Sequence, residues 1–146
     1  MLKFTKISEI MTRNVFSVDI QDTLKSADEI MKSEKLHHIP VLENNRYIGM
    51  LEHQKIYEYT LRRLYDFEDD PESTSQNIIQ DFQNLLNKDL KLLYPEDSIQ
   101  KALEVFTKNS YECLPVVDWD KNLVGIISTV DILLFLHKAI KEGVIS

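Results

Sequence analysis

The sequence predicts a mixed α/β (α+β) fold of two pseudo-symmetric β-α-β-β-α repeats packed through their sheets, and three observations carry that prediction. The first is a segment that occurs twice: His37–Gly49 runs HHIPVLENNRYIG and Glu112–Gly125 runs ECLPVVDWDKNLVG. Each is an Ile/Leu-Pro-Val step, a short polar turn and an apolar pair closing on glycine. The second is a constant offset. Pro40 and Pro115 stand 75 positions apart (115 − 40), and the same offset aligns Asp22-Thr23-Leu24 with Asp97-Ser98-Ile99 and Ala27 with Ala102. At Gly49 and Gly125 it becomes 76 (125 − 49), so the second turn carries one extra residue. The third is periodicity, which switches between helical and extended at matching places in both copies. Two copies rather than many argue for a pseudo-symmetric pair and against a solenoid.

In chain order, each copy opens on a short extended stretch, Val15–Val18 or Lys91–Leu93. A first helix follows. Leu24, Ala27, Ile30 and Met31 recur at helical spacing behind Asp22, and Ile99, Ala102, Leu103 and Phe106 do so behind Asp97. Both aspartates are expected as N-caps, because a carboxylate there accepts from the free N–H groups of the first turn. Next come two β-rich runs, Ile39–Leu42 with Tyr47–Leu51 and Leu114–Val117 with Leu123–Ile127, joined by Asn/Asp-containing turns that read as hairpins. A second helix closes each copy, at about Glu52–Tyr65 and Thr129–Lys141. Three short strands with two helices on one face leave apolar surface bare, which a second copy covers. The domain reading is a first repeat at 1–65, an acidic linker at 66–77 and a second repeat at 78–146. The linker holds Asp66, Glu68, Asp69, Asp70 and Glu72 with no apolar residue after Phe67, the composition of a solvated connection.

Bulk properties narrow the function classes. A net charge of −7 over 146 residues argues against nucleic acid and against anionic membranes, since both need a basic surface. The N-terminal residues lack the apolar core of a signal peptide, and runs such as Ile132–Leu136 are far too short to span a bilayer. A cytoplasmic location is expected. One cysteine, Cys113, leaves no internal disulfide and no cysteine zinc site. His37 and His38 are adjacent on a strand and point to opposite faces, while His53 and His137 stand alone, so no metal is expected. No nucleophile–base pair or phosphate-cradling glycine loop has the spacing catalysis needs, and no enzyme activity is expected.

These pieces together resemble a tandem of cystathionine-β-synthase (CBS) domains, the pair called a Bateman module. Ile10-Met11-Thr12 with Val15 is similar to that family's opening, Ile39 and Leu114 fill its apolar position before Pro-Val, and Gly125-Ile126-Ile127-Ser128-Thr129-Val130-Asp131 resembles its closing G-h-h-S/T-x-x-D. The resemblance spans about Ile7–Tyr59 and Phe82–Leu136. It implies an adenosine-containing ligand (AMP, ADP, ATP or an S-adenosyl compound) in the cleft between copies, with no obligatory cofactor. It further implies a homodimer of modules and regulation of an effector protein not identified by the sequence. By the family's pattern Asp131 would take the ribose and Ser128 would stand near the sugar or phosphate. Cys113, Leu114 and Pro115 would lie beside the base, and Asn87 and Leu90, at the opening of the second copy, would line the same pocket.

Spacing by itself supports a plainer reading of Ser128-x-x-Asp131, a capping box worth about 1 kcal/mol that needs no ligand. The first copy departs from the motif. Glu52 stands where Ser is expected and Lys55 where Asp is expected, and an ammonium has donors only, so it does not replace a ribose-gripping carboxylate. A second equivalent nucleotide site is therefore not expected. Cys113 reads as a buried inert thiol, Tyr57, Tyr59, Tyr65 and Phe67 as helix-packing contacts, and Trp119, in a polar turn, as an inter-subunit contact. Two functions follow: a regulatory module that binds one adenine nucleotide per chain, or a ligand-free dimerisation and partner-binding module.

Overall fold

The computed structural model describes residues 2–65 and 83–144. The acidic stretch Asp66–Asn77 assigned to a linker lies outside the described residues, as does Phe67. After two short 3-10 turns, Leu2–Phe4 and Ile7–Glu9, the elements run β1 (Val18–Asp19), α1 (Leu24–Ser33), β2 (His38–Glu43), β3 (Arg46–Glu52) and α2 (His53–Tyr65). The second copy supplies α3 (Ile99–Lys108), β4 (Cys113–Val117), β5 (Leu123–Ser128) and α4 (Thr129–Lys141). The mixed α/β class is the one the sequence predicts, and the order helix, hairpin, helix recurs in both copies.

The two hairpins are built alike. β2 and β3 pair antiparallel through Val41↔Gly49, then slip by one residue to Leu42↔Tyr47. β4 and β5 pair through Val116↔Gly125 and slip at the equivalent place to Val117↔Leu123. Asn44 and Asn45 turn the first hairpin at φ of 52° and 66°, the left-handed region that asparagine tolerates and that tight hairpins require. The extra residue lies in the second turn, where the Asp118 carboxylate accepts from the backbone N–H of Asp120 and Asn122.

The opening strand separates the copies. β1 pairs parallel with β2 at Val18↔Val41 and Asp19↔Leu42, and Ile20 N–H continues the ladder to Leu42 O at 2.8 Å. In the second copy only Leu93 bridges Val116. The residue equivalent to Ile20 is Pro95, which has no N–H to donate, so the three-stranded sheet expected there is a two-stranded one with a single added bridge.

The expected caps shift by one residue. Thr23, not Asp22, caps α1, its Oγ1 accepting from Ser26 N–H at 3.0 Å. Ser98, not Asp97, is the N-cap position of α3, without a side-chain bond. Both aspartates instead reach back three residues: Asp22 Oδ2 accepts from Asp19 N–H and Asp97 Oδ2 from Tyr94 N–H, each at 2.8 Å. Each carboxylate thereby closes the turn between opening strand and helix, and the hydroxyl that follows is left for the helix start.

The chain forms two compact units, Phe16–Asp89 and Met1–Val15 with Leu90–Ser146. Each thus contains the hairpin and both helices of one repeat together with the opening residues of the other. In the first-repeat unit Leu24, Ala27 and Met31 of α1 pack with Val18, Ile39, Val41, Leu51, Ile56 and Leu86. In the second-repeat unit the buried set is led by Ile7, Leu93, Ile99, Leu114, Val116 and Ile127. Leu103 and Phe106, expected in that stripe, are half-buried, and Val105 is buried in their place.

The crossed opening segments explain two of the three glycines. Asn87 exchanges both backbone hydrogen bonds with Met50, at 2.8 and 2.9 Å, and Thr12 does the same with Ile126, also at 2.8 and 2.9 Å. A Cβ on Gly49 would lie 2.9 Å from Leu86 Cβ, and one on Gly125 would lie 2.7 Å from Met11 Sδ and 3.0 Å from Thr12 O. Only a residue without a side chain lets the incoming backbone approach so closely.

Candidate functional site

The last helix of each repeat starts the same way. Its first N–H is donated to the carbonyl just before the hairpin, Thr129 to Glu112 O at 3.0 Å and His53 to His37 O at 2.9 Å. Beyond that the two starts diverge, following the sequence difference between Ser128/Asp131 and Glu52/Lys55.

At α4 the capping box forms. Ser128 is extended, at φ −115° and ψ 164°, and its Oγ accepts from Asp131 N–H at 3.0 Å. Asp131 Oδ2 accepts from Ser128 N–H at 2.8 Å. The other oxygen, Oδ1, accepts from Thr12 Oγ1 at 3.3 Å, a long bond from the opening segment of the first repeat. A carboxylate has about four lone-pair sites, so two of Asp131's remain for a ligand. The capping and ligand-binding roles are therefore compatible in one residue, which is half-buried.

Six of the seven expected site residues belong to this second-repeat unit. Strand register sets Cys113 opposite Ser128, Leu114 opposite Ile127 and Pro115 opposite Ile126. Cys113, Leu114, Pro115 and Leu90 are all buried, so their side chains are core. Asn87 is the exception: it belongs to the first-repeat unit, bonded to Met50, and its Oδ1 accepts from Asp89 N–H at 2.9 Å. Its sequence-equivalent Thr12 occupies the place beside Asp131. The offset of 75 identifies Thr12 and Asn87 as equivalents, but it carries no sign of which repeat each completes.

In the first-repeat unit Glu52 and Lys55 line a cavity of about 460 Å³ together with Glu58 and Arg62 of α2 and with Asn87 and Asp89. Lys55 pairs with Glu58 at 3.6 Å, and Gln54 Nε2 also donates to Glu58 at 3.3 Å. On the other side of α2, His53 Nε2 meets Asp28 Oδ1 at 2.8 Å, while Lys32 Nζ holds Asp28 Oδ2 at 2.9 Å. Burial pushes the Asp28 carboxyl up, but the hydrogen bonds and charges of Lys32 and His53 pull it down further, so it titrates below its ordinary value. Tyr57 meets the His53 ring edge-on at 4.4 Å.

Among the described residues no group of three or more His, Cys, Asp or Glu side chains is arranged to hold a metal ion. No described helix is long and apolar enough to cross a membrane. Trp119 stacks on Tyr94 at 4.4 Å and 19° within the same chain, yet remains 80% exposed.

Comparison with known proteins agrees with this fold. The CBS domain family model matches residues 7–62 and 80–138. An uncharacterised protein of Methanocaldococcus jannaschii is 30% identical over 128 residues, covering 88% of this chain and 43% of its own. A homoserine O-acetyltransferase of Methanosarcina acetivorans is 23% identical, covering 90% of this chain and 22% of its own. The chain thus spans less than half the length of these curated relatives. Among solved structures, a putative acetoin utilization protein from Vibrio cholerae superposes with TM-score 0.75 at 22% identity, covering 95% and 97% of the two chains. A CBS domain pair in complex with 5′-methylthioadenosine and S-adenosyl-L-methionine gives 0.72 at 15% identity, covering 92% and 98%. CBSX2 in complex with AMP gives 0.71 at 16% identity, covering 92% and 97%.

Proposed function

The chain belongs to the CBS domain family as a tandem pair, and from that premise we propose that it is a non-catalytic regulatory module binding one adenosine-containing ligand at the Ser128–Asp131 start of α4. The observation that carries this reading is the Asp131 carboxylate. It is oriented by Ser128 and by Thr12, with acceptor capacity left over at a helix N-terminus whose dipole favours an anionic group. Two ribose hydroxyls would donate to the remaining lone pairs, in the way an acidic residue holds a ribose in other nucleotide folds. The half-open edge of β4 and β5 would read the base through backbone groups. Neighbouring folds in complex with AMP and with 5′-methylthioadenosine and S-adenosyl-L-methionine support this ligand class. Lys55 in place of the aspartate limits this chemistry to the second-repeat unit.

Thermal unfolding with AMP, ADP, ATP and S-adenosylmethionine tests the reading, with Asp131→Asn as the control that keeps an acceptor for Ser128 N–H. Ligand at a hundred times its Kd adds ~2.7 kcal/mol. For a chain of this size that raises Tm by roughly 5–10 °C with at least one of the four. The shift disappears in Asp131→Asn. Equal shifts in both proteins would reduce Asp131 to a helix cap.

A second reading, a ligand-free interaction module, is favoured by one feature. α4 carries Val130, Leu133, Leu134 and Ile140 at 56% to 64% exposure, spaced as one helical stripe. In the first reading the same stripe is where a second copy would pair. Signalling would then run through assembly or through an effector protein.

A further inference from the structure

We propose that the exposed Tyr94–Trp119 stack is a docking platform for an arginine-bearing basic segment of a partner protein. Trp119 is the chain's single tryptophan and, at 80% exposure, the most exposed large apolar side chain among the described residues. An indole left in water forgoes the gain of burial, yet this one is held in place. Its ring stacks on Tyr94 at 4.4 Å and 19°, so one face is taken within the chain and the other is open. Both rings stand on braced turns. Tyr94 N–H donates to Asp97 Oδ2 at 2.8 Å, and the Pro95 carbonyl accepts from Ser8 N–H at 3.0 Å. Asp118 accepts from the backbone N–H of Asp120 and Asn122 and from Asn122 Nδ2, which fixes the turn bearing Trp119. A flat aromatic surface arranged in advance loses little side-chain entropy on binding.

The charges beside the rings select the occupant. Asp97 and Asp118 are engaged in their turns, Asp97 also with Lys101 at 3.2 Å. Glu96 and Asp120 are exposed, each within two residues of a ring, and among the described residues their side chains make no hydrogen bond or ion pair. Lys121 is the one ammonium of the Trp119 turn and is likewise unpaired, so the open charge is two carboxylates against one cation. A cation over the indole face is attracted by the ring's quadrupole, and a guanidinium also lies flat on it while its N–H fork reaches a carboxylate. Arginine satisfies both features at once, whereas an ammonium meets only the charge. A second copy fits poorly, because two-fold pairing centred on Trp119 would set Glu96 and Asp120 against their own counterparts. Tryptophan and arginine are also among the residues that most often carry the energy of protein interfaces. Nothing in this surface requires a ligand at Asp131.

Fluorescence anisotropy of a fluorescein-labelled glycine peptide carrying several arginines and no aromatic residue tests this at low ionic strength, beside the lysine and glutamate versions of the peptide. The arginine peptide binds saturably, about threefold or more tighter than the lysine one, and the glutamate one does not bind. Because Trp119 is the only tryptophan, the emission of the unlabelled pair changes over the same concentration range. Trp119→Leu and the double variant Glu96→Gln with Asp120→Asn each weaken binding about tenfold, and Lys121→Glu strengthens it. All four positions are exposed, and circular dichroism of each variant confirms that it is folded. Absence of saturable binding of the arginine peptide overturns the proposal. So does binding that Trp119→Leu and the double variant leave unchanged, which would make the peptide a non-specific counter-ion of a chain of net charge −7. A dimer in sedimentation velocity that Trp119→Leu abolishes would assign the platform to a second copy and equally overturn it.

Discussion

Gly49 and Gly125 show how one atom decides a fold contact. Where a backbone position suits alanine, replacing glycine stabilises by about 0.4–1 kcal/mol through the unfolded chain. Here the contact reverses that sign. At Gly49 the new methyl meets Leu86 Cβ at 2.9 Å, an atom fixed by its own backbone. At Gly125 the nearest atom, at 2.7 Å, is the sulfur of Met11, which can swing aside, although Thr12 O at 3.0 Å cannot. Gly49→Ala is therefore expected to destabilise by about 1–3 kcal/mol, and Gly125→Ala by less. Urea midpoints of the two variants check this, and an equal or reversed order would contradict the packing argument. Neither cost was legible in the sequence. A glycine closing a hairpin reads as a turn signal, whereas the reason for it is a strand-like segment about 40 or 110 residues away in the chain, as the Leu86 and Met11 contacts show.

At the scale of elements, α1 and α2 are clamped by Asp28, which accepts from Lys32 within α1 and from His53 at the start of α2. Because its folded pKa lies below the unfolded value of about 3.9, its contribution is complete above that pH and is lost as the pH falls through the folded value. Wild type should therefore lose stability faster than Asp28→Asn as the pH falls below about 4, as followed by urea unfolding at each pH. Parallel curves would show that the clamp contributes nothing. The helices themselves were readable from periodicity, but their starts were not. Asp22 and Asp97 both look like caps, and both are taken by the N–H three residues earlier, leaving Thr23 and Ser98 at the cap position. Several carboxylate–amide pairings are available in such a turn, and the chain direction entering it selects one.

For the molecule as a whole, the exposed stripe on α4 bears on assembly. Replacing Leu133 and Leu134 by glutamate changes solvent-facing positions, so stability should stay within about 0.5 kcal/mol of wild type. If the stripe seats a second copy, sedimentation velocity will show the wild type as a dimer and the double variant as a monomer. Identical masses would place the interface elsewhere. The sequence by itself determined the duplication, the element order, both hairpins and the Ser128–Asp131 box, because each depends on residues close along the chain and on local rules of spacing. Tertiary structure alone decided that Met1–Val15 joins the second repeat and Asn87 the first, which brings Thr12 to Asp131. The two opening segments carry the same pattern and either edge could accept either segment. Spacing is blind to that exchange, and only the packing of Met11 against Gly125 and Leu86 against Gly49 resolves it.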